Sequence, residues 1–318
     1  MGHQRRIVVT GGAGFIGANL SRCLVEAGHP VVVLDDLSTG RTANLRGLDV
    51  ELVEGSIVDR TLVRRVLVGA ECVVHLAARG SVPRSLAEPL ATYEANATGT
   101  AEVLEAARLA EVGHVVVASS SSVYGANPIL PKHEDLAPAP ISPYGASKLL
   151  TEALALVYQR SFGMPVLALR FFNVFGPLQP ADHDYAAVIP RFLDAALAKE
   201  PVEIHGDGRQ TRDFTYVETV VRLIAEAVHQ RTTSAGPVNL AFGSQISLLD
   251  VLDRLELLLG APIARRHVAA RVGDVRHSQA DPTRLLQLFP SFVPHPFEDG
   301  LEETLAWFLE GEPNQARA

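Results

Sequence analysis

The chain has little cysteine: Cys23 and Cys72 are its only two in 318 residues, beside a single tryptophan. Both sit in apolar helix or strand contexts, so buried free thiols in a reducing compartment are expected rather than a disulfide. It lacks any apolar run long enough to span a bilayer, and the first strand pattern begins almost at the amino terminus, so neither a membrane anchor nor a secretory leader is expected and the cytoplasm is the expected location. Basic runs are missing as well. With 28 Lys and Arg against 36 Asp and Glu the net charge is −8, which argues against nucleic acid or an anionic membrane as a partner and leaves any anionic ligand to be met by local arginines. No internal repeat or low-complexity tract is evident, and nothing calls for a metal.

What is present begins at residue 7. The run IVVTGGAGFIG at 7–17 is a short β-branched strand entering a glycine-rich turn, and the ANLSRCLVEAG that follows has helical spacing of its apolar residues. Gly12, Gly14 and Gly17 satisfy G-x-G-x-x-G, and Gly11 adds a wider G-x-x-G-x-x-G spacing. Such a turn lets the backbone approach a pyrophosphate with a helix N-terminus behind the anion. A second apolar strand at 31–34 ends in Asp35, eighteen positions after Gly17. A carboxylate there accepts hydrogen bonds from an adenosine ribose, favouring NAD over NADP.

Apolar strand candidates at 7–10, 31–34, 50–53, 72–76, 114–118 and 166–170 alternate with helical patterns. That alternation predicts an α/β fold, a Rossmann-type doubly wound parallel sheet with a smaller C-terminal substrate-binding α/β lobe. Long Ala- and Leu-rich helices are predicted over about 84–111 and over 143–162. After residue 173 Pro and Gly recur and the pattern loosens, with a strand-like VNLAF at 238–242. The expected domains are residues 1–173, with 214–242 returning to them, and a lobe of 174–213 and 243–318.

Tyr144 and Lys148 stand four apart in SPYGASK, about two dozen residues beyond the hydroxyl cluster Ser119–Ser122. At i and i+4 on a helix the phenol and the ammonium share a face, so the cation can favour a phenolate and make the tyrosine a base near neutrality. A lone Tyr-x-x-x-Lys is ordinary helix surface. Beside a dinucleotide turn it reads as proton-transfer chemistry.

With the glycine turn, HLAA at 75–78, SSSSVYG, YGASK, RFFNVFGP and GDGRQTRDF in order, the chain resembles the extended short-chain dehydrogenase/reductase family along essentially its whole length, and within it the nucleotide-sugar 4-epimerases. The resemblance implies a bound NAD, reduced and reoxidised within one turnover. It implies that Tyr144 takes the proton of the sugar 4-hydroxyl, that Ser120 bridges the sugar oxygen and the phenol, and that Lys148 holds the nicotinamide ribose. Cofactor contacts carry over to Gly11, Gly14, Phe15, Ile16, Gly17, Asp35, Ile57, Leu76, Ala77 and Asn96, besides Tyr144 and Lys148. Ser56 departs from the pattern, standing where many relatives have an aspartate for the adenine amine.

For a UDP-sugar the family positions are Arg212 and Arg271 at the diphosphate, Asn173 beside the phosphates and Asp274 near the uridine ribose. Ser121 and Ser122 replace the Asp-Glu pair of the 4,6-dehydratases, and the glutamate usual in decarboxylases is absent from position 122. Arg191 with Ser120, Ser121 and Ser122 would receive a C6 carboxylate, which suits UDP-glucuronate, and SSSSVYG resembles the glucuronate 4-epimerases. GSVPRS at 80–85 instead resembles epimerases of UDP-N-acetylglucosamine or UDP-glucose. A net nucleotide-sugar dehydrogenase or reductase and a silent NAD-binding regulator are the other readings. The resemblance and the two long helices also imply a homodimer.

Overall fold

Runs of β-branched residues with no polar alternation are the pattern of strands covered on both faces. In the computed structural model, which describes residues 6–181, 186–269 and 275–310, these runs are β1 (Arg6–Thr10), β2 (Val31–Asp35), β3 (Val50–Glu54), β4 (Ala70–His75), β5 (His114–Ser120) and β6 (Val166–Phe171). They form a seven-stranded sheet in the order Val238–Leu240, β6, β5, β4, β1, β2, β3. Pairing among β1–β6 is parallel, with Ile7 opposite Val31 on one side and Cys72 on the other. β2, β5 and β6 are buried at every position, while β3 at the edge exposes Glu51 and Glu54, charges that discourage further strand addition. The strand order reverses between β1 and β4, so the loops leaving their carboxyl ends part there and open a crevice.

Helices cover the sheet: α1 (Phe15–Glu26), α2 (Arg60–Leu67) and, after β4, α3 (Val82–Ala87), α4 (Pro89–Tyr93), a π turn (Glu94–Thr98) and α5 (Gly99–Leu109). The continuous helix expected over 84–111 is thus interrupted. Pro89 brings no N–H to continue α3, and at the π turn the Gly99 N–H reaches back to the Glu94 carbonyl, five residues away. The helix expected at 143–162 is α6 (Pro143–Phe162). Ser142 caps it by accepting the Gly145 N–H, Pro143 opens it, and Gly163 at φ 67° ends it. Val63 and Leu67 of α2 and Val103 and Leu104 of α5 join Val8, Val32 and Val115 in a core buried against the sheet. Both cysteines are free, Cys72 buried and Cys23 partly so.

The chain divides into two compact units, one of Met1–Asn127, Glu134–Phe171 and Val221–Asn239, the other of Pro128–His133, Phe172–Val220 and Leu240–Ala318. The second is built from short pairs: Asn173–Phe175 parallel to Phe214–Tyr216, Thr211–Arg212 antiparallel to Ile246–Ser247, and Val202–His205 parallel to Arg265–Val268. Phe175 packs on Phe297 and edge-on to Phe214 at its centre. Among the described residues no helix is long and apolar enough to cross a membrane.

Candidate active site

Apart from Asn96, the predicted site residues of the first unit lie at or just beyond the carboxyl end of a strand, or in the first turns of α1 and α6. Gly11 leaves β1 at φ +71°, and a Cβ on it would stand 2.7 Å from the Ala77 nitrogen, so only glycine lets this turn and the Leu76–Ala77 segment meet. Gly17 lies against the Gly11 carbonyl, where a Cβ would overlap. The turn delivers Gly14, Phe15 and Ile16 to the start of α1, which has no side-chain cap, so its leading N–H groups stay available to an anion. Asp35, at the end of β2, accepts the Ala13 N–H at Oδ2 and the Leu37 N–H at Oδ1, both at 2.9 Å. Burial pushes its carboxyl above the usual range, against the pull of those backbone donors. Ile57 is buried against Gly99, and Leu76 donates its N–H to the Thr10 carbonyl.

Ser120 ends β5, and Tyr144 and Lys148 occupy the first turns of α6. Ser120 Oγ accepts both the N–H (3.2 Å) and the hydroxyl (2.9 Å) of Ser122, so its own proton is turned outward. A hydrogen bond joins Ser120 to the Tyr144 phenol and favours the phenolate, but burial outweighs it and holds the phenol above its ordinary value. Lys148 donates to the Ala118 carbonyl at 2.9 Å, and burial lowers its ammonium to about 8. The ammonium that the spacing turns toward the phenol is therefore anchored to β5. Ser121 and Ser122 lie partly exposed in a single 3₁₀ turn after β5. Asn96, 1% exposed in the π turn, accepts the Arg79 N–H at 2.7 Å and donates to Ser147 Oγ at 2.9 Å.

The second unit carries the remaining predicted residues. Asn173 starts a short strand and its N–H binds the Asp213 carbonyl at 3.2 Å. Arg212 binds the carbonyls of Thr211 and Arg276 through Nη1. Arg191, on α7 (Val188–Leu197), has Nη2 3.6 Å from Glu203, which also pairs with Arg266. Arg271 and Asp274 lie outside the described residues. Sequence reasoning passed over Asp213, inside the QTRDF run. Its buried carboxylate accepts the N–H groups of Gly243, Ser244 and Ala280 and the Ser244 hydroxyl, gathering segments that flank Arg212. Its signal was an acid amid β-formers with no charged neighbour except that arginine.

Residues 7–241 match the family described as the NAD dependent epimerase/dehydratase family. The chain belongs to that family. A UDP-glucose 4-epimerase of Mycolicibacterium smegmatis is 36% identical over 315 residues, 95% of this chain and 98% of the relative. Among solved structures, the UDP-N-acetylglucosamine 4-epimerase of Methanobrevibacter ruminantium superposes with a TM-score of 0.92 at 35% identity, covering 96% of this chain and 99% of the other. The UDP-glucuronic acid 4-epimerase of Bacillus cereus, solved with UDP-glucuronic acid and NAD, superposes at 0.88 with 30% identity, covering 96% and 99%.

This NAD-dependent epimerase has the fittings its cofactor needs. The side-chain-free turn at Gly11 and Gly17 would leave room for a diphosphate, the uncapped start of α1 would face its charge, and Asp35 would offer its remaining lone pairs to ribose hydroxyls. Lys148 has spent one of its three donors on Ala118, which leaves two for a ligand.

Proposed function

We propose that the enzyme interconverts the C4 epimers of a UDP-hexose, and that its reaction is UDP-glucuronate to UDP-galacturonate. One arrangement carries the epimerisation: Ser120 hydrogen-bonded to Tyr144, with Lys148 one turn on and only serines at 121 and 122. NAD, which the glycine turn, Asp35 and Lys148 would hold, would supply reversible hydride transfer at the sugar C4. Tyr144 takes the 4-hydroxyl proton and gives it back. Ser120, its lone pairs filled by Ser122, donates its proton toward the phenolate or the sugar oxygen and so stabilises the charge that develops there. Lys148 holds the ribose with its free donors, and its positive charge opposes protonation of Tyr144 once a ligand turns it from Ala118. Two hydroxyls cannot perform the acid–base work of eliminating water across C5 and C6.

Arg191 supports the glucuronate assignment. At 3.6 Å its contact with Glu203 is loose, and an incoming carboxylate that offers two good hydrogen bonds competes well with it. Asn173, Arg212, Arg271 and Asp274 would hold the UDP moiety. The same ion pair also favours a second reading: if Glu203 keeps Arg191 neutralised, the enzyme acts on a neutral hexose, UDP-glucose or UDP-N-acetylglucosamine. The test is to incubate the purified enzyme with each sugar and no added cofactor, resolving the epimers chromatographically. Fastest turnover of UDP-glucuronate supports the first reading, a neutral preference the second. Release of NADH into bulk solution would make it a net oxidoreductase.

A homodimer belongs to the same proposal. Leu109 of α5 and Leu150, Val157 and Phe162 of α6 are all exposed, an apolar surface on two long helices that a helical bundle would cover. A monomer in sedimentation at working concentration would refute it.

A further inference from the structure

The buried histidine at the end of β4 has no part in the chemistry above, yet it sits in a hydrogen-bond chain with one sense throughout. His75 is 2% exposed. Its Nδ1 lies 2.7 Å from Thr10 Oγ and its Nε2 2.9 Å from Thr100 Oγ. Thr100 spends its hydroxyl proton on the Asn96 carbonyl at 2.5 Å, so Nε2 must be the donor to Thr100. Nδ1 is then the acceptor, and Thr10 gives its proton to it while taking the Ala77 N–H at 3.3 Å. The imidazole is neutral in a single tautomer, and burial together with the charge of Lys148 lowers it to about 3.

At one end of this chain are Thr10, the residue before Gly11, and the Ala77 backbone. At the other is the Asn96 carbonyl, within the π turn, which also accepts the Thr151 hydroxyl at 2.8 Å. The Asn96 side chain binds Ser147, whose hydroxyl donates to the Tyr144 carbonyl at 2.8 Å. Ser147 and Thr151 bracket Lys148 on α6. We propose that His75 is a positioning residue that holds the helix of Tyr144 and Lys148 to the end of β4, acting through Thr100 and Asn96, with Thr10 fixing its tautomer. This rests on the roles given above to Tyr144 and Lys148.

The two arms can be cut separately. In His75→Gln the amide nitrogen reaches the place of Nε2 and keeps the donor to Thr100; in His75→Asn the amide oxygen takes the place of Nδ1 and keeps only the Thr10 arm. The expected result is a kcat within about threefold of native for the glutamine variant and at least about tenfold lower for asparagine, with KM for the sugar unchanged in both. A helix no longer held by Asn96 also loosens the Ser120–Tyr144 bond that favours the phenolate, so the acid limb of kcat moves to higher pH in His75→Asn alone. Equal kcat and unmoved limbs in both variants, with both melting lower, would reduce His75 to packing and overturn the proposal. If His75→Asn does not fold, Thr100→Val cuts the same arm with little change of shape, and native kcat and limb there overturn it equally. If the native enzyme turns over no UDP-hexose, the proposed function fails on its own. The positioning role is then decided by the phenol absorbance of Tyr144 in the NAD complex, read against Tyr144→Phe: unchanged titration in His75→Asn overturns it.

Discussion

Replacing Glu152 by alanine is expected to be the most destabilising single change next to the site. Glu152 lies on α6 one turn beyond Lys148, 3% exposed, and accepts hydrogen bonds from Arg170 Nε (2.8 Å), Arg170 Nη2 (2.7 Å) and Ser119 Oγ (2.9 Å). Arg170 is 2% exposed on β6, its guanidinium stacked 4.7 Å from the centre of the Tyr124 ring. Truncating the acid leaves a guanidinium buried without its counter-charge. Breaking a buried pair from one side costs about 3–5 kcal/mol. The double change Glu152→Leu with Arg170→Met removes both desolvation penalties and is expected within about 2 kcal/mol of native, so the coupling between the two sites should be of the same order as the single loss. Urea unfolding followed by circular dichroism reads both, from the midpoint at constant slope. A Glu152→Ala loss below about 1 kcal/mol would mean that water reaches Arg170 and would refute this reasoning.

Three further outcomes are expected. Tyr144→Phe should lower kcat by at least about 10²- to 10⁴-fold while NAD remains bound, read by turnover and by cofactor stoichiometry; retained turnover would remove the tyrosine from the proton transfer. Because burial lowers Lys148 to about 8 in the folded protein, the unfolded chain binds more protons between that value and the ordinary lysine range. Stability should therefore rise with pH from about 8 toward about 10, seen as a rising urea midpoint that is lost in Lys148→Met; a falling midpoint would contradict a buried, unpaired ammonium. Arg191→Gln should cut kcat/KM for UDP-glucuronate by about 30-fold or more and leave UDP-glucose within about threefold. Equal losses on both sugars would place Arg191 away from C6.

Tyr144, Lys148, Ser120, the glycine turn and Asp35 were legible because each is a local pattern. A short β-branched run bounded by turn residues favours a strand, a dinucleotide turn before a helix needs glycines at fixed spacing, and i and i+4 share a helix face whatever surrounds them. α6 was legible to its ends from its serine, proline and glycine. Of the interruptions in the 84–111 helix, Pro89 was legible and the π turn was not, since an Ala-rich pattern says nothing of a carbonyl at Asn96 that finds Thr151, fifty-five residues away, as its partner. Nor did spacing reveal that Lys148 would hold the Ala118 carbonyl, or that Arg191 would meet Glu203.

The sequence by itself determined the alternation of strand and helix, the shape of the cofactor turn and which residues could carry the proton chemistry, because these depend on stereochemistry within one turn or one strand. The tertiary fold set which way each buried polar group points: His75 between two threonines, Asp213 between two other segments, Glu152 against Arg170. Burying a polar group is costly unless it finds a partner, and the partner is chosen by what the fold brings within 3 Å or so rather than by what lies nearby in the chain.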